Sequence, residues 1–567
     1  MARSIARTTS PSRRRFLQGA AAATAGLTIG FHWSGVPRVA AAGSDGVLAP
    51  NAFVRIAPDN TVTVIIKHLE MGQGTYTGLA TIVAEELDAD WAQVRAESAP
   101  ADASRYNNLR FGKVQGTGGS TAVANSWDQL RQAGATARAM LVAAAAADWN
   151  VPPAEITVER GVVKHAASGR SATFGALAGK AAAQPVPANV TVKDPKDFRL
   201  IGHRVPRLDT PAKTNGTAQF ALDVKLPDMV TAVVQRPPLF GATVRSLDAA
   251  AAKAVPGVID VVQIPAGVAV VGKTFWAAKQ GREALKVDWD DSKAEKRGTT
   301  ELMAEYEALA KKPGMPARRT GAVDPALAGA ARRLDASFKF PYLAHAPMEP
   351  LTCVVRLTGD ACEIWAGDQF QTIDQANAAR AGGLKPEQVA IHTLYAGGSF
   401  GRRANAVSDY IVEAVTVAKA LGADGRPIKL VWTREDDIRG GRYRPMYVHA
   451  IEAGLDGKGD LVAWQHRIVG QSIMAGTPFA GLIKDGIDAT SVEGASTLPY
   501  AIPNIGVELH TTEVGVPVLW WRSVGSTHTA YATEVFLDEV ANAAGKDPVS
   551  FRKALLKDEP RHLGVLQ

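Results

Sequence analysis

A glycine-rich turn between a strand and a helix constrains the fold of this chain more than any other sequence feature. It reads Tyr-Ala-Gly-Gly-Ser-Phe-Gly-Arg-Arg over residues 395–403, after a segment rich in β-branched residues and before a helix predicted for Asp409 to Leu421. Glycines at such a junction let the backbone approach a bulky ligand and adopt dihedral angles closed to other residues. Amides at the head of a helix also favour an anionic group. A plain tight turn is equally compatible with these residues.

A second polar segment, residues 365–371, lies upstream at the end of an alternating strand. A helical run over 373–381 and a strand from Val389 follow it, so the order is strand, Gln369, helix, strand, Gly-Gly-x-Phe-Gly. This order resembles the molybdopterin-binding large subunit of the xanthine dehydrogenase and aldehyde oxidase family. The sequence of residues 397–403, Gly-Gly-Ser-Phe-Gly-Arg-Arg, is most similar to that of the isoquinoline 1-oxidoreductase β-subunit branch, which includes membrane-associated aldehyde dehydrogenases.

Length and charge bound the class of protein. The 567 residues are enough for about four units of the usual domain size. The net charge is +7, but residues 1–42 contain six arginines and no acid, so the rest of the chain carries +1. This balance provides no basic patch for nucleic acid, and we expect no nucleic-acid partner.

The first residues resemble an export signal. Residues 12–18 read Ser-Arg-Arg-Arg-Phe-Leu-Gln, the twin-arginine pattern, and a short apolar run (19–31) and Ala-Ala-Ala at 40–42 follow. The run is too short for an ordinary membrane-spanning helix. Residues 1–42 are therefore predicted to be a twin-arginine signal peptide, which places the mature protein in the periplasm or on the periplasmic face of the inner membrane. A fortuitous basic N-terminus is the alternative.

The chain contains only two cysteines, Cys353 and Cys362. Without a Cys-x-x-Cys motif, this chain alone cannot hold an iron–sulfur cluster or a c-type haem. Electrons produced here would have to leave through another subunit. The two cysteines flank a predicted turn, and this placement is compatible with a cross-strand disulfide or with two unrelated buried thiols.

Two further glycine loops each precede a predicted helix. Residues 68–74 read His-Leu-Glu-Met-Gly-Gln-Gly after a predicted hairpin, and Gln73 can offer a donor and an acceptor to a heterocycle edge. A hairpin-to-helix turn without a ligand explains the same residues. Residues 116–121 read Gly-Thr-Gly-Gly-Ser-Thr, and the hydroxyls of Ser120 and Thr121 suit a phosphate or pterin, whereas an ordinary N-cap needs only one. Both loops resemble the family's pterin-binding elements, placed here first, in the permuted order of the isoquinoline-oxidoreductase branch.

The middle of the chain is similar to the family's small α/β hammerhead domain. Residues 184–189 have the composition of a linker, the similarity covers 200–292, and the polar stretch 293–316 is predicted to be a connection. We find no candidate chemistry in this segment.

Two later strings also carry the resemblance. Residues 346–350 read Ala-Pro-Met-Glu-Pro, similar to a signature of the large subunits, and Glu349 and His345 are interpreted as structural because no second ligand lies at zinc spacing. The other scattered histidines are interpreted in the same way: His392, His449, His466, His510 and His528. Residues 517–529 resemble the family's arginine-glycine loop, in which Arg522 would contact the pterin near the metal. A surface arginine at a strand end is the alternative.

The resemblance implies an α+β fold with a hammerhead domain and two molybdopterin-binding domains, the second incomplete. The predicted parts are a signal peptide (1–42), the permuted N-terminal part of the second molybdopterin-binding domain (43–195), the hammerhead domain (200–292), and the first molybdopterin-binding domain with the start of a missing C-terminal part (330–567).

The resemblance also implies the site. Gln369, as a hydrogen-bond partner of a molybdenum oxygen, and Arg522 are expected to be catalytic. The residues expected to bind the cofactor are Gly72, Gln73, Gly74, Ser120, Thr121, Gln369, Gly397, Gly398, Ser399, Phe400, Gly401, Arg402, Arg522 and Gly525. No side chain of this protein is expected to ligate the metal.

The implied chemistry is oxidation of an aldehyde or N-heterocycle with water as the oxygen source. The implied cofactor is molybdenum–molybdopterin in its cytosine dinucleotide form, and the implied partners are a small [2Fe-2S] subunit and a c-type cytochrome as electron acceptor. The family's catalytic glutamate lies in a Gly-Glu-Pro-Gly loop, and no Gly-Glu-Pro occurs in this sequence. Two alternatives therefore stand beside the enzyme: a truncated, non-catalytic fragment that binds cofactor or a partner, and a periplasmic binding protein of unrelated class.

Overall fold

The computed structural model describes residues 52–567 and the backbone of Leu27–Gly30. The rest of the predicted signal peptide, residues 1–42, lies outside the described residues. The strands are β1 Leu27–Gly30, β2 Ala52–Ile56, β3 Val62–Ile66, β4 Val94–Ser98, β5 Ile156–Glu159, β6 Val162–His165, β7 Arg170–Thr173, β8 Val230–Gln235, β9 Thr243–Asp248, β10 Val258–Ile264, β11 Gly267–Gly272, β12 Lys286–Asp290, β13 Met315–Thr320, β14 Arg332–Phe340, β15 Thr352–Leu357, β16 Cys362–Ala366, β17 Val389–Thr393, β18 Ile428–Val431, β19 Tyr447–Leu455, β20 Leu461–Gly470 and β21 Asn504–Thr511.

The α-helices are α1 Thr75–Leu87, α2 Ala103–Tyr106, α3 Ala122–Trp149, α4 Phe174–Ala182, α5 Thr210–Asn215, α6 Ala250–Lys253, α7 Phe275–Glu283, α8 Thr299–Ala310, α9 Val323–Ala328, α10 Gln371–Gly382, α11 Asp409–Ala420, α12 Arg434–Arg439, α13 Ser526–Ala543, α14 Pro548–Leu555 and α15 Pro560–Leu566. These elements form two compact units. The first unit comprises the described residues up to 224 together with 360–397, and the second unit comprises 225–359 together with 398–567.

The first unit contains a four-stranded sheet in the order β1-β2-β3-β4. The strands β1, β2 and β3 pair antiparallel, so the predicted hairpin is present as β2–β3, and β3 pairs parallel with β4. Helices α1, α3 and α4 bury their apolar sides in one core that includes Phe53, Leu79 and Leu141. Gly134 of α3 allows a close crossing over α1, since a Cβ there would lie 2.6 Å from Val83 O.

Buried acids of α1 anchor the chain around the predicted linker. Residues 184–189 contain no helix or strand. Glu86 binds Arg131 at 2.7 Å and the Lys193 N–H at 2.9 Å, and Glu85 binds Lys193 Nζ at 2.9 Å. Burial works to raise the pKa of Glu85, but Lys193 and three backbone amides outweigh it and lower the pKa. Ion pairs and hydrogen bonds to these two carboxylates therefore help to hold this segment in place.

The segment 360–397 adds the parallel pair β16–β17 to the first unit, with α10 between the two strands in sequence. This is the strand, helix, strand order predicted around Gln369.

The second unit contains two larger sheets. One includes β10-β11-β8-β18-β15, in which β8 and β18 pair parallel and the other neighbours pair antiparallel. The other has the order β13-β21-β20-β19-β14, with β20 and β21 parallel. Helix α13 packs on this second sheet through a core that includes Trp464, Phe536 and Val540. Helix α11 begins at Asp409, as the periodicity predicts.

The prediction that residues 293–316 form a polar connection is wrong in part. This stretch contains α8, whose buried residues are Leu302, Tyr306 and Ala310. They lie four residues apart and so share one helix face. Lys311 and Lys312, directly after the helix, are exposed, and charged residues of this kind made the whole stretch resemble a connection.

Cys353 and Cys362 are both buried and form no disulfide, so the disulfide alternative is excluded. Burial raises the pKa of the Cys362 thiol to about 12, which leaves it protonated and unreactive at neutral pH.

Candidate functional site

In the first unit, a tight loop connects β3 to α1 and is held by one buried carboxylate. Gly72 and Gly74 have positive φ angles of 108° and 93°, which glycine adopts without steric cost. Glu70 Oε1 accepts hydrogen bonds from the N–H of Gly72 at 2.8 Å and of Gly74 at 3.3 Å, and Oε2 accepts from Tyr76 at 3.2 Å. Amides at the start of α1 are thus occupied by Glu70 rather than open to an anionic ligand.

Gln73 closes the same loop. Its Nε2 donates to Leu69 O at 2.7 Å, and its Oε1 accepts from the Met71 N–H at 2.8 Å. The side chain is exposed, so one N–H and one lone pair remain for a ligand. A Cβ on Gly72 would meet no atom within 4 Å. The outer edge of this loop, Gly72 and Gln73, is therefore the part that a ligand can reach.

The charge of Glu70 is balanced by two cations. Arg207 and Lys213 lie 3.2 and 3.4 Å from Glu70 Oε1, and both bind Asp209 as well, at 2.7 and 2.6 Å. Burial works to raise the pKa of Asp209, but the hydrogen bonds from Arg207 and Lys213 outweigh it and bring the pKa to about 2. No local sequence pattern indicated this network, because Arg207 lies 137 residues from Glu70.

Thr117 joins three segments that lie far apart in sequence. Its Oγ1 accepts a hydrogen bond from the Leu69 N–H at 2.9 Å. Its N–H donates to Gln369 O at 2.9 Å, and Gln369 Nε2 donates back to Thr117 O at 2.7 Å. The structure therefore brings both predicted glycine loops and the predicted catalytic glutamine together, and it fixes the orientation of the Gln369 side chain.

Gly116 and Gly397 belong to the same cluster. A Cβ on Gly116 would lie 2.6 Å from Phe370 Cδ1, so only glycine allows this approach. The Ala396 N–H donates to Glu70 O at 3.1 Å, which places Gly397 close to Glu70. We define the first-unit cradle as residues 68–74, 116–121, 367–371 and 395–397.

The two predicted hydroxyl residues before α3 differ in availability. Ser120 is exposed and has a φ of +55°, whereas Thr121 is buried. Thr121 Oγ1 donates to Gly118 O at 2.7 Å and accepts from Asn108 Nδ2 at 2.7 Å. Thr121 stands at the N-cap of α3 without making a capping bond. The Ser120 hydroxyl and the first amides of α3 are thus the groups left for a phosphate.

A groove of about 500 Å³ in the first unit has a size typical of ligand sites. Tyr76 and Tyr395 line it, with ring centroids 5.4 Å apart. Thr393 also lines it, and its buried Oγ1 hydrogen-bonds to no other residue in the described part of the chain. The aromatic walls and hydrogen-bonding groups suit a heterocycle such as a pterin or a nucleobase, and the Glu97 carboxylate, paired with Arg55 at 2.6 Å, also lines the groove.

In the second unit, the Gly-Gly-Ser-Phe-Gly turn continues around a buried serine. Ser399 Oγ accepts hydrogen bonds from the Gly401 N–H at 3.3 Å and the Arg403 N–H at 3.1 Å. Gly398, Phe400 and Gly401 have positive φ angles of 94°, 55° and 109°. Such a conformation is uncommon for a phenylalanine, and this ring is 39% exposed. The turn therefore presents Phe400 outward.

The two arginines after this turn serve the fold. Arg402 is 2% exposed and binds Asp409 through both terminal nitrogens, at 3.2 and 2.7 Å. Arg403 is fully buried and donates to Gly398 O and to Glu349 Oε2, each at 2.9 Å. The terminal nitrogens of Arg402, a predicted cofactor-binding residue, are thus committed to the start of α11. Glu349 is the counter-ion of Arg403, in keeping with its structural interpretation.

A second turn packs against the first. The Arg522 N–H donates to Phe400 O at 2.8 Å, and the rings of Phe400 and Trp521 stack with centroids 6.0 Å apart. A Cβ on Gly401 would lie 2.7 Å from Trp520 O, so glycine permits this approach. We define the second-unit cradle as residues 398–403 and 520–525.

Two residues of the second-unit cradle are strained. Ser523 and Val524 have φ angles of +75° and +48°, and for a β-branched residue this is a genuine outlier of the kind that clusters at functional sites. Gly525 follows at the N-cap of α13, where any Cβ would collide with Thr490 O. The Gly525 N–H donates to Glu493 Oε2 at 3.1 Å. This amide is therefore also committed within the protein.

Arg522 keeps its side chain available. It is exposed, and its guanidinium hydrogen-bonds to no other residue that the structure describes. Its backbone amide is bound to Phe400 O. A ligand at this turn would therefore meet the guanidinium.

The structure also assembles three histidines that the sequence presents as scattered. His449 Nδ1 lies 2.7 Å from His466 Nε2, and His449 Nε2 lies 2.9 Å from His528 Nδ1. They come from β19, β20 and α13, so no local pattern could have indicated the cluster.

The groups left available fit a molybdopterin. The first-unit cradle offers an exposed loop edge, the Ser120 hydroxyl and uncapped helix amides, and the second-unit cradle offers a guanidinium. Amide, hydroxyl and guanidinium donors suit a heterocycle that carries phosphate. In the described chain, no group of three or more His, Cys, Asp or Glu side chains is arranged to hold a metal ion.

Comparison with known proteins agrees with this chemistry. Two models of a molybdopterin cofactor-binding domain match residues 309–556 and 6–220. Isoquinoline 1-oxidoreductase subunit beta of Brevundimonas diminuta is 31% identical, over 100% of this chain and 77% of its own length. The membrane-bound aldehyde dehydrogenase (pyrroloquinoline-quinone) of Gluconacetobacter polyoxogenes is 32% identical, over 92% of this chain and 68% of its own.

Among solved structures, quinoline 2-oxidoreductase from Pseudomonas putida 86 has a TM-score of 0.51 at 19% identity, over 62% of this chain and 49% of that one. This likeness shows a shared fold. This chain therefore spans about half of that solved chain.

The chain belongs to the xanthine dehydrogenase family, as a molybdopterin-binding subunit with a mixed helix and sheet fold. Within this family it is a large subunit of the aldehyde or N-heterocycle oxidoreductase class, similar to isoquinoline 1-oxidoreductase subunit beta. The resemblance inferred from the sequence motifs is confirmed, and a binding protein of unrelated class is excluded.

Proposed function

We propose that this chain binds molybdenum–molybdopterin and oxidises an aldehyde or an N-heterocycle with water as the oxygen source. The observation that carries the proposal is the pairing of Thr117 with Gln369, which brings the glycine loops 68–74 and 116–121 and the glutamine segment together in the first-unit cradle. When bound, the cofactor would supply the two-electron oxidation chemistry.

The chain's own residues would bind and orient. Gln369, fixed by Thr117, would position a polar group at the cofactor. Arg522 would place its guanidinium on an anionic or polar group, while Phe400 and Trp521 hold its backbone. Because the family's proton-accepting glutamate lies in a Gly-Glu-Pro-Gly loop and this sequence has no Gly-Glu-Pro, we assign no proton acceptor to this chain.

The test is cofactor content. When the chain is co-expressed with the proposed small [2Fe-2S] subunit and purified, it should contain about one molybdenum and one pterin per polypeptide. Gln369→Leu should lower both, because it removes the side-chain hydrogen bond from Nε2 to Thr117 O, one of the two bonds that join these cradle segments. The control Gln263→Leu changes an exposed glutamine of β10 and should leave the content unchanged. Absence of molybdenum and pterin from the unmodified protein would refute the proposal.

We also propose the cytosine dinucleotide form of the cofactor. Its support is the branch resemblance, together with a groove large enough for a further ring. Acid hydrolysis of the purified protein should release CMP in proportion to molybdenum. Release of GMP, or of no nucleotide, would contradict this form.

Electrons are proposed to leave to a small [2Fe-2S] subunit and then to a c-type cytochrome. The support is that the sequence has two cysteines, both buried, too few for a cluster of four thiolates. Co-purification of a protein with a [2Fe-2S] absorption spectrum, and reduction of that spectrum by substrate, would test the path. Substrate reduction of an acceptor by the chain without any such protein would contradict it.

Export by the twin-arginine route is proposed from residues 12–18, with the periplasm or the periplasmic face of the inner membrane as the destination. No helix among the residues that the structure describes is both long and apolar enough to cross a membrane. Replacing Arg13 and Arg14 with lysine keeps the charge but loses the guanidinium pair, and it should leave the precursor in the cytoplasm. Full export of this variant would refute the route.

N-terminal sequencing of the exported protein is needed beside that experiment. β1, within the proposed signal, pairs with β2 in the structure, so removal of residues 1–42 would leave β2 at the edge of its sheet. A mature chain that begins before residue 27 would contradict the proposed cleavage at residues 40–42.

A further inference from the structure

A cavity in the second unit lies beside the strained turn. Its volume is about 10 Å³, room for one water molecule or one ligand oxygen. Tyr447 and His528, both buried, line its inner part, and the partly exposed Arg444, Trp521 and Val524 line its opening. Arg444 and His528, which can each donate a hydrogen bond to a polar group, thus converge on one small space.

The hydrogen bonds among His449, His466 and His528 determine whether His528 Nε2 carries a proton at this cavity. Burial lowers the pKa of His449 well below its ordinary value, and it lowers those of His466 and His528 to about 3. All three imidazoles are therefore neutral, and each carries one N–H. His449 uses both nitrogens, so it donates to one neighbour and accepts from the other.

The hydrogen bonds among the three histidines can run in two directions, and only one of them avoids a buried, unpaired N–H. His466 Nδ1 is buried and has no hydrogen-bond partner among the described residues. An orphaned N–H is rarer and costlier than an orphaned acceptor, so His466 carries its proton on Nε2 and donates to His449. His449 then donates to His528 Nδ1, and His528 must carry its own proton on Nε2. The stack of His528 on Tyr447, with centroids 3.7 Å apart, holds this N–H in place.

Arg444 supplies a positive charge without a counter-ion. Its Nη2 donates to Pro341 O at 3.4 Å, its Nε is buried without a hydrogen bond, and it forms no ion pair within the part of the chain that the structure describes. Burial lowers the pKa of Arg444, and its charge in turn lowers that of His528. A partly buried, unpaired guanidinium is costly unless an anion meets it.

The remaining walls are mostly apolar; the exception is Thr490, whose hydroxyl donates to Asp488 Oδ1 at 2.6 Å. Ile473, Leu519 and Pro445 line the cavity with Trp521. A cation and a fixed N–H donor among apolar walls match a carboxylate on a small apolar body. We propose that this cavity is a carboxylate subsite, in which Arg444 supplies the charge and His528 Nε2 donates a hydrogen bond.

One carboxylate oxygen fills the cavity, and the second oxygen lies at its opening with the body of the ligand against Trp521. The assignment of this ligand as the substrate rests on the proposed function. The substrate class then narrows to aldehydes or N-heterocycles that carry a carboxylate. A neutral substituent of the same shape would lose the interaction with Arg444.

The experiment compares two isosteric probes, benzoate and benzamide, by calorimetric titration of the full chain. Arg444→Gln should weaken benzoate binding by about ten-fold or more, as loss of a charge-assisted hydrogen bond requires, and change benzamide binding by less than about two-fold. His528→Phe keeps a ring against Tyr447 and removes the N–H, and it should weaken benzoate as well. Arg426→Gln, at an arginine with a 46% exposed side chain, is the matched control.

Equal affinity of the unmodified chain for benzoate and benzamide would overturn the subsite, as would unchanged benzoate binding in Arg444→Gln. Arg444→Lys, which keeps the charge, should bind benzoate with intermediate affinity and separates loss of charge from misfolding.

The two proposals fail separately. If the chain holds molybdopterin but does not prefer benzoate to benzamide, the carboxylate subsite is refuted and the proposed function stands. If the chain binds benzoate through Arg444 but holds no molybdopterin, the subsite stands and the proposed function is refuted.

Discussion

Lys67 lies under the first-unit cradle as a buried cation, and its titration can be predicted. It is 2% exposed, and its Nζ donates to Asn107 O at 3.0 Å and to Gln129 Oε1 at 2.8 Å, both neutral acceptors. No carboxylate pairs with it among the described residues, and burial lowers its pKa from 10.5 to about 7. We predict that Lys67→Met removes a pH dependence of stability.

The direction in which the free energy of unfolding changes with pH follows from the pKa of Lys67 in the unfolded and the folded chain. The unfolded chain keeps the Lys67 proton up to about pH 10.5, whereas the folded chain releases it above about pH 7. Between these values the unfolded state binds more protons, so the free energy of unfolding rises with pH. The contribution is about 1.4 kcal/mol per pH unit. Roughly 2–3 kcal/mol should therefore accumulate between about pH 7.5 and pH 9.5.

The assay is urea unfolding of the unmodified chain, Lys67→Met and Lys196→Met at both pH values, with hydrogen exchange in α1 reporting on the first unit. Lys196, whose side chain is 74% exposed, is the matched control. The unmodified chain and Lys196→Met should gain stability relative to Lys67→Met as the pH rises. Equal pH slopes for the three proteins would refute the lowered pKa.

Two further substitutions test the second-unit cradle. Arg403→Met should lower the free energy of unfolding by about 3–5 kcal/mol, because it deprives the buried Glu349 of the counter-ion 2.9 Å away. Urea unfolding should show this loss, and adding Glu349→Gln should restore part of it; an unchanged midpoint for the single variant would contradict the argument. Gly401→Ala should lower the molybdenum content, because its Cβ would lie 2.7 Å from Trp520 O, whereas Gly457→Ala, at an open position, should not. Equal molybdenum in both glycine variants would show that the close approach of the two turns is dispensable.

The sequence by itself determined many of the elements and the positions of the glycine loops between them. The strand, turn, helix order around residues 395–403 and the start of α11 at Asp409 follow from local periodicity and from glycines that need positive φ angles. The same local rules predicted the hairpin before residues 68–74. The family resemblance rested on these loops because positive φ angles and close backbone approaches favour glycine, and glycines can be recognised in the sequence.

Only the tertiary structure decided which polar groups remain for a ligand. Gln73 turns its amide into its own loop, Arg402 is buried against Asp409, and the amide of Arg522 binds Phe400. Gln369 meets a partner 252 residues away, and three histidines from separate elements form one hydrogen-bonded chain. The physical reason is the same in each case: a polar side chain is satisfied by whichever group folding places within about 3 Å, and that group is set by the packing of distant elements rather than by neighbours in sequence.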